Sequence, residues 1–284
     1  MKNLMQLKDL IKNLAKEKNI NSQVLLRNYM MQRLLLKIAN SYYKNNFILK
    51  GGMLVADLVG IESRSTVDMD LTIKSFSLSK DNITEFFAEI LSTKTEDGIE
   101  FRLKQVDSIR KEAEYNGFRL TILALMGKAR IPLKIDLTTG DKLTPSEINY
   151  RYQLLFEDDK IEILSYNLET LLAEKIETII SRSKTNTRMR DFYDVYILTL
   201  ELKEKINMNL LAGALTETAK NRGTYKAIKN GKERLIEVFK SKIILDHWNR
   251  YREKFKYAEE IEFSNLEEQI INLWNEIEDN SIYN

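Results

Sequence analysis

Two aspartates in the middle of a short alternating segment are the first residues whose types and spacing suggest chemistry. The segment 67–73 reads Val-Asp-Met-Asp-Leu-Thr-Ile, which alternates apolar and polar residues as a half-buried strand does. Side chains two apart on a strand share a face, so Asp68 and Asp70 point the same way. Their carboxylates repel each other unless a cation lies between them, and Mg²⁺ prefers such oxygen ligands. The segment therefore predicts a site for metal and phosphate.

A third carboxylate follows the same pattern further along the chain. The segment 133–138 reads Leu-Lys-Ile-Asp-Leu-Thr and places Asp136 on the face opposite its apolar residues. If the two strands are neighbours, three aspartates converge on one patch. Such a triad can hold two Mg²⁺ ions, one carrying a triphosphate and one activating an attacking hydroxyl.

A pair of glycines connects a predicted strand to a predicted helix just before these aspartates. Gly51 and Gly52 end the strand Phe47–Leu49 and open a helix that runs to Leu58. Glycine lets backbone N–H groups approach phosphate oxygens at the start of a helix. Gly-Gly alone is typical of a turn, and Asp-x-Asp alone is typical of a solvated strand face. In this order, with a third aspartate on a matching strand, the pieces favour metal-dependent nucleotidyl transfer.

At these residues the chain resembles the AbiEii/AbiGii toxin family, over roughly Phe47 to Leu200. Members are nucleotidyltransferases of the DNA polymerase β type in type IV toxin–antitoxin and phage abortive-infection systems. The similar segments are Lys50-Gly51-Gly52, Arg64-Ser65-Thr66-Val67-Asp68-Met69-Asp70-Leu71 and Arg190-Asp191-Phe192-Tyr193-Asp194. The wider superfamily usually has Gly-Ser where this chain has Gly51-Gly52. Backbone N–H groups, or Ser65 and Thr66, are therefore expected to hold the phosphate instead of a hydroxyl at position 52.

The residues and the resemblance together predict a complete site. Metal binding is expected at Asp68, Asp70 and Asp136, with Mg²⁺ as the ion and Mn²⁺ as an alternative. Nucleotide binding is expected at Gly51, Gly52, Ser65, Thr66 and Lys175. The resemblance implies that Lys175 neutralises charge on the leaving pyrophosphate and that Asp191 is the functional acid. Supporting roles are expected for Lys50, Arg64 and Asp194.

Spacing alone leaves two interpretations of Lys175 open. It falls on the apolar stripe of a helix predicted over 168–181, where an ammonium must either snorkel to solvent or meet an anion. If it contacts the triphosphate, Lys175→Met is expected to remove activity and to preserve stability. Asp191 and Asp194 share a helix face, although Asp194 could instead pair with Arg190 four residues earlier.

Composition excludes several classes of function. The 284 residues include no cysteine, which excludes disulfides, thiolate nucleophiles and Cys-based metal sites. They include one histidine, which argues against a His-dependent triad and excludes a cluster of histidine metal ligands. His247, beside Trp248, is predicted to be a packing residue. The sequence shows neither a signal peptide nor a membrane span, so a cytoplasmic protein is expected.

The nearly neutral net charge of +2 conceals two basic stretches. Arg182–Arg190 contains four basic residues and no acid, and Lys220–Lys256 contains twelve basic residues against four acidic ones. Such runs are often solvated helix faces. Beside a phosphate-handling site they are also what an RNA acceptor requires.

The chain is predicted to be α+β. The resemblance implies a polymerase β-like nucleotidyltransferase domain over residues 1–160, with N-terminal helices and a mixed sheet flanked by helices. A C-terminal helical bundle over residues 161–284 is expected to contribute Lys175 and Asp191. Strands are predicted at 47–49, 67–73, 118–125 and 129–138, and the segment 138–159 is the candidate hinge.

Three functions remain open at this point. The first is an enzyme that moves a nucleoside monophosphate from an NTP to an acceptor hydroxyl. The resemblance implies GTP or a pyrimidine nucleotide, the tRNA 3′ end as acceptor, and bacteriostasis. It also implies a cognate antitoxin that acts without a required direct complex. The alternatives are a nucleotidyltransferase with a small-molecule acceptor and a non-catalytic nucleotide-binding regulator.

Overall fold

A computed structural model describes residues 4–93, 97–109 and 117–281 of the chain. These residues form two compact units. The first unit comprises the residues up to 140 and residues 148–165, and the second comprises residues 141–147 and the residues from 166 onward. No helix in the described ranges is both long enough and apolar enough to cross a lipid bilayer.

The first unit contains a seven-stranded sheet and four helices. The helices are α1 (Leu4–Glu17), α2 (Ser22–Ala39), α3 (Gly51–Val59) and α4 (Lys80–Ser92). The strands are β1 (Phe47–Lys50), β2 (Asp68–Ile73), β3 (Glu100–Ile109), β4 (Gly117–Met126), β5 (Ala129–Thr138), β6 (Ile148–Gln153) and β7 (Lys160–Ser165).

The sheet is mixed, and its strand order is β3-β4-β5-β2-β1-β7-β6. Strand β2 pairs antiparallel with β1 and parallel with β5, and β1 also pairs parallel with β7. The remaining neighbours are antiparallel. All four residues of the interior strand β1 are buried, as expected for a strand covered on both faces. This mixed sheet with flanking helices confirms the predicted fold class.

The alternation predicted for β2 and β5 matches their burial. Met69 and Leu71 on β2 are fully buried, and so are Leu133, Ile135 and Leu137 on β5. Helices α2 and α3 pack against these strands and cover the apolar face. The aspartates between these residues are only partly buried and lie on the other face, as the period of two requires.

Strands β3, β6 and β7 are not among the predicted strands. β3 and β6 are the two edges of the sheet, and most of their side chains are exposed and polar. An edge strand buries little, so its hydrophobic signal is weak. Strand β6 lies within the segment 138–159 that was predicted to be a hinge, so part of that segment is paired sheet and not a linker.

The second unit is helical. Its helices are α5 (Leu168–Arg182), α6 (Met189–Leu202), α7 (Met208–Asn221), α8 (Tyr225–Lys229), α9 (Gly231–Phe239), α10 (Lys242–Lys254) and α11 (Phe263–Ser281). Asn167 and Asn207 cap α5 and α7, because each side-chain oxygen accepts a hydrogen bond from a backbone N–H in the first turn. This confirms the predicted C-terminal helical region.

Candidate functional site

The turn between β1 and α3 brings backbone directly against a carboxylate. Gly51 has a φ of +67°, a conformation that favours glycine. A Cβ atom on Gly51 would lie 2.1 Å from Oδ2 of Asp70, which leaves no room for any other residue. The first turn of α3 and the Asp70 carboxylate are therefore held in contact, and glycine is required here for two independent reasons.

The second glycine makes room for the segment that precedes β2. A Cβ atom on Gly52 would lie 2.9 Å from an Nη atom of Arg64 and 3.0 Å from Oγ1 of Thr66. Arg64 is buried and donates a hydrogen bond to the carbonyl of Ser65. The Thr66 hydroxyl donates to the carbonyl of Asp68 at 3.2 Å. Arg64 and Thr66 thus shape the entry to β2, next to the start of α3.

Sheet register brings the three predicted metal-binding aspartates together. Asp70 is the direct partner of Asp136 in the parallel β2–β5 pair, and Asp68 lies two residues before Asp70 on the same face. All three are partly buried. The condition set by the sequence, that the two strands be neighbours, is therefore met.

An arginine that the sequence analysis did not identify lies in this cluster. Arg119 on β4 pairs with Asp136 across the β4–β5 ladder. Its Nε and Nη2 atoms donate to the two carboxylate oxygens of Asp136, each at 2.7 Å. That hydrogen bonding raises the pKa of Arg119, and the negative charges of Asp136, Asp68 and Asp70 raise it further. Arg119 therefore lies in the field of all three carboxylates.

Asp70 and Asp136 belong to a row of five charged residues that lie opposite one another on five neighbouring strands. In the registers of the sheet, Lys50 opposes Asp70, Asp70 opposes Asp136, Asp136 opposes Arg119, and Arg119 opposes Asp107. Residues directly opposite each other on neighbouring strands share a face and interact. The two adjacent carboxylates are thus flanked by a cation on each side, which offsets their mutual repulsion. Arg119 could have been found from the sequence only by knowing the β4–β5 register.

The donor set of this face suits Mg²⁺, because carboxylate oxygens are its preferred protein ligands. Asp68 and Asp70 provide two adjacent carboxylates. Among the residues the structure describes, no group of three or more His, Cys, Asp or Glu side chains is arranged to hold a metal ion. The bidentate pair with Arg119 engages both oxygens of Asp136. The chemistry of the Asp68 and Asp70 carboxylates fits the ion, and Asp136 is held by Arg119 in this structure.

In the helical unit, the structure brings Lys175, Asp191 and Asp194 together. The Lys175 ammonium lies 2.5 Å from Oδ2 of Asp194 and 3.7 Å from Oδ1 of Asp191. All three side chains are less than a tenth exposed. Lys175 therefore pairs with carboxylates of the protein itself and does not extend to solvent, and its contact with a triphosphate stays a prediction. The alternative pair between Arg190 and Asp194 is not formed, because Arg190 is exposed and Asp194 is buried.

A fourth charge extends this cluster to the surface. Arg188, just before α6, forms an ion pair with Asp191, with its Nε atom 2.7 Å from Oδ2. Lys175 and Arg188 together place two cations against two carboxylates, so the four charges of the cluster balance. Arg188 is outside the set of predicted site residues, and its position three residues before Asp191 was the available signal.

Comparisons with known proteins identify a family and a shared fold. A family model described as the nucleotidyl transferase AbiEii toxin of type IV toxin–antitoxin systems matches residues 33–269. MenT4, a nucleotidyltransferase toxin from Mycobacterium tuberculosis, shares the fold with a TM-score of 0.61 and 12% identity. That match covers 95% of this chain and 89% of MenT4.

A second similar structure is JHP933 from Helicobacter pylori, with a TM-score of 0.52 and 17% identity. The match covers 93% of this chain and 97% of JHP933. No curated protein matches the chain in sequence. Because the family model spans most of the chain and includes every predicted site residue, the chain belongs to the AbiEii family of nucleotidyltransferase toxins of type IV toxin–antitoxin systems.

Proposed function

We propose that this nucleotidyltransferase uses Mg²⁺ to move a nucleoside monophosphate from an NTP to the 3′-terminal hydroxyl of a tRNA. The NTP is GTP or a pyrimidine nucleotide, as the family resemblance implies. The observation that carries the proposal is the register of Asp70 with Asp136, next to the glycine turn that opens α3. Carboxylates and helix N–H groups on one face provide both halves of a metal–triphosphate site.

In this proposal Asp68 and Asp70 hold the ion, and Mn²⁺ can replace Mg²⁺ as the same oxygen ligands suit both. When bound, the ion neutralises phosphate charge and favours ionisation of the acceptor hydroxyl. The backbone N–H groups at Gly51 and Gly52 contact phosphate oxygens. Asp136 orients the acceptor hydroxyl and accepts its proton once Arg119 has moved away.

The roles of Lys175 and Asp191 are proposed from the family pattern, with support from their burial as an ionised cluster. Lys175 faces two carboxylates in the folded protein, and an ammonium group is what a leaving pyrophosphate requires. Asp194, as the nearer partner, fixes the position of the ammonium. We propose that residues 1–160 form the nucleotidyltransferase domain. Residues 161–284 form the helical domain, which contributes Lys175 and Asp191.

At the level of the cell, we propose that modification of the tRNA end blocks translation and causes bacteriostasis in the cytoplasm. A cognate antitoxin relieves this without a required direct complex, as the resemblance implies. The support within this chain is the pair of basic stretches, Arg182–Arg190 and Lys220–Lys256, since a drug-sized acceptor needs no long positive surface.

The test is to incubate the protein with Mg²⁺, total cellular RNA and each NTP in turn, labelled at the α-phosphate. Label that enters the tRNA fraction, with one NTP preferred, is the expected result. Asp70→Asn is the inactive comparison. Asp107→Asn is its matched control, because it removes a carboxylate from the same row but lies three strands away from Asp70. Label on a small molecule and not on RNA would favour the small-acceptor alternative, and nucleotide binding without turnover would favour the regulator.

A further inference from the structure

A cationic cavity of about 450 Å³ lies in the helical unit, between the start of α6 and one face of α10. Four of the residues that line it are basic: Arg188, Arg190, Arg250 and Lys254. Within the described part of the chain, its lining contains no acidic side chain. Arg188 and Arg190 come from one of the basic stretches, and Arg250 and Lys254 come from the other. The fold therefore joins the ends of two separate basic stretches around one cavity.

Most of these cations have no counterion among the residues that the structure describes. Arg188 is paired with Asp191. Arg190 and Arg250 are exposed, and neither forms a hydrogen bond or ion pair with any other residue that the structure describes. Lys254 is exposed and lies over the ring of Phe255, with its ammonium 5.6 Å from the ring centroid. Cations gathered around a cavity repel one another, so an anion is the ligand that this arrangement favours.

One wall of the same cavity is aromatic. Tyr251 lies in the last turn of α10 and Phe255 directly follows the helix, and their ring centroids are 4.6 Å apart. Phe255 also stacks on Tyr257, at 5.4 Å and with an angle of 25° between the planes. Phe255 is only half-buried, so part of its ring is accessible from the cavity. Arginines bind phosphate with two parallel hydrogen bonds, and aromatic rings stack on nucleobases.

We propose that this cavity binds one nucleotide unit of the RNA that accepts the transferred nucleotide, with its phosphate on Arg190, Arg250 and Lys254 and its base against Phe255. The inference rests on the proposed RNA acceptor. A polyanion fits better than a free NTP, because these three cations are exposed and a strand can continue from the cavity along the rest of the basic stretch on α10. An acidic peptide would use the arginines but would leave the aromatic wall without a partner.

The test compares two double variants by fluorescence anisotropy with a labelled RNA hairpin that ends in a single-stranded 3′ tail. Arg250→Gln/Lys254→Gln removes two cavity cations. Lys203→Gln/Lys205→Gln removes two cations that lie after α6 and outside both basic stretches. The cavity variant is expected to bind RNA about tenfold more weakly, and its log–log salt slope should fall by about 0.7 for each lost contact to the single strand. The control variant is expected to bind RNA as the wild type does.

Equal RNA affinity in the cavity variant and the wild type would overturn the assignment, and so would an equal loss in both variants. Polyglutamate and unlabelled RNA are also compared as competitors at equal concentrations of negative charge. If polyglutamate displaces the labelled RNA as well as unlabelled RNA does, the RNA assignment is overturned in favour of an acidic peptide. If the cavity variant binds RNA normally but is no longer stabilised against heat by an NTP, the proposal is overturned, because the cavity would then bind the donor NTP and not the RNA. A wild-type protein that binds RNA through the cavity but transfers no label to it would support the cavity and contradict the proposed function.

Discussion

At the scale of single residues, the proposed chemistry depends on three carboxylates, Asp68, Asp70 and Asp136, that lie side by side on one face of the sheet. Lys50 and Arg119 flank Asp70 and Asp136 in the row, so their repulsion is offset before any ion binds. The structure thus explains how the site can be preassembled in the absence of metal. The same flanking cations compete with the metal, because they interact with the oxygens that would bind it.

Asp70→Asn is expected to lower nucleotidyl transfer by at least about a hundredfold, because it removes a proposed metal ligand. The free energy of unfolding should change by less than about 1 kcal/mol, since the substitution removes a repulsion from Asp136 and an attraction to Lys50 together. Transfer assays and urea unfolding measure the two effects. Wild-type transfer in this variant would remove Asp70 from the metal site.

Arg119→Gln is expected to tighten Mn²⁺ binding by between about two- and tenfold, because the competing guanidinium is lost and Asp136 is released. Calorimetric titration of the protein with Mn²⁺ measures this directly, without relying on catalysis. Arg102→Gln is the control, because Arg102 is exposed on the same sheet and pairs with Glu100 instead. Metal affinity that is equal in the two variants would show that the Arg119 pair does not restrict Asp136.

At the scale of elements, the buried charges of Lys175, Asp191 and Asp194 join α5 to α6. Because Lys175 falls on the apolar stripe of its helix, the sequence alone predicts that Lys175→Met preserves stability. The structure changes that expectation, because methionine would leave a buried carboxylate at Asp194 without its partner. Loss of one member of a buried pair costs about 3–5 kcal/mol. Thermal or urea unfolding of Lys175→Met should therefore show a large destabilisation.

Two further variants separate this pair from a general effect of losing a lysine. Lys175→Met/Asp194→Asn should recover part of the lost stability, because it no longer buries an unpaired charge. Lys184→Met, which removes an exposed lysine 3.2 Å from Glu237, should change stability by less than about 1 kcal/mol. A double variant as unstable as the single one would argue against an ionised pair.

Helix α3, which begins at the glycine turn, is tied to the edge of the sheet by Asp57. The Tyr150 hydroxyl donates to this carboxylate at 2.6 Å, and the Gln153 N–H donates at 3.2 Å. Burial nevertheless raises the pKa of Asp57 above its ordinary value of 3.8. The folded protein then binds this proton more tightly than the unfolded chain does. The contribution of Asp57 to stability therefore falls as pH rises from about 4 through the raised pKa.

Asp57→Asn should remove that contribution, so the stability of the variant should fall less than that of the wild type over this acidic window. Urea unfolding at a series of pH values above about 4 measures the difference. The exposed Asp9→Asn substitution on α1 is the control and should leave the pH profile unchanged. Parallel profiles for wild type and Asp57→Asn would contradict the raised pKa.

At the scale of the whole molecule, toxicity to the host cell should depend on the aspartates Asp68, Asp70 and Asp136. The presence of the folded protein without this site should not be toxic. Expression of the wild-type chain in a bacterial host should arrest growth, and growth should resume when expression stops. Asp68→Asn should accumulate to the same level and allow growth, because it removes a proposed metal ligand and leaves the core unchanged. Growth curves and soluble protein yield measure the two quantities. Arrest by both proteins would show that toxicity does not arise from this site.

The sequence by itself determined the features that depend on local periodicity. Alternation in β2 and β5 was enough to place Asp68, Asp70 and Asp136 on the polar face of their strands, because side chains on a strand alternate strictly. The glycine pair was evident from its place between a predicted strand and a predicted helix, whereas the contact of Gly51 with Asp70 came only from the structure. The fold class followed from these patterns and from the helical periodicity after residue 167.

Only the tertiary structure decided which of these residues meet. The partnership of Arg119 with Asp136 depends on the β4–β5 register, and that of Asp70 with Asp136 depends on a parallel pairing between strands far apart in the chain. Register is set by packing over a whole sheet, and a local pattern does not contain it. Helix packing likewise decides which carboxylates pair with Lys175. It also forms the cationic cavity beside α10. His247, predicted to be a packing residue, lines that cavity and is only half-buried, because the neighbouring helix leaves space beside it.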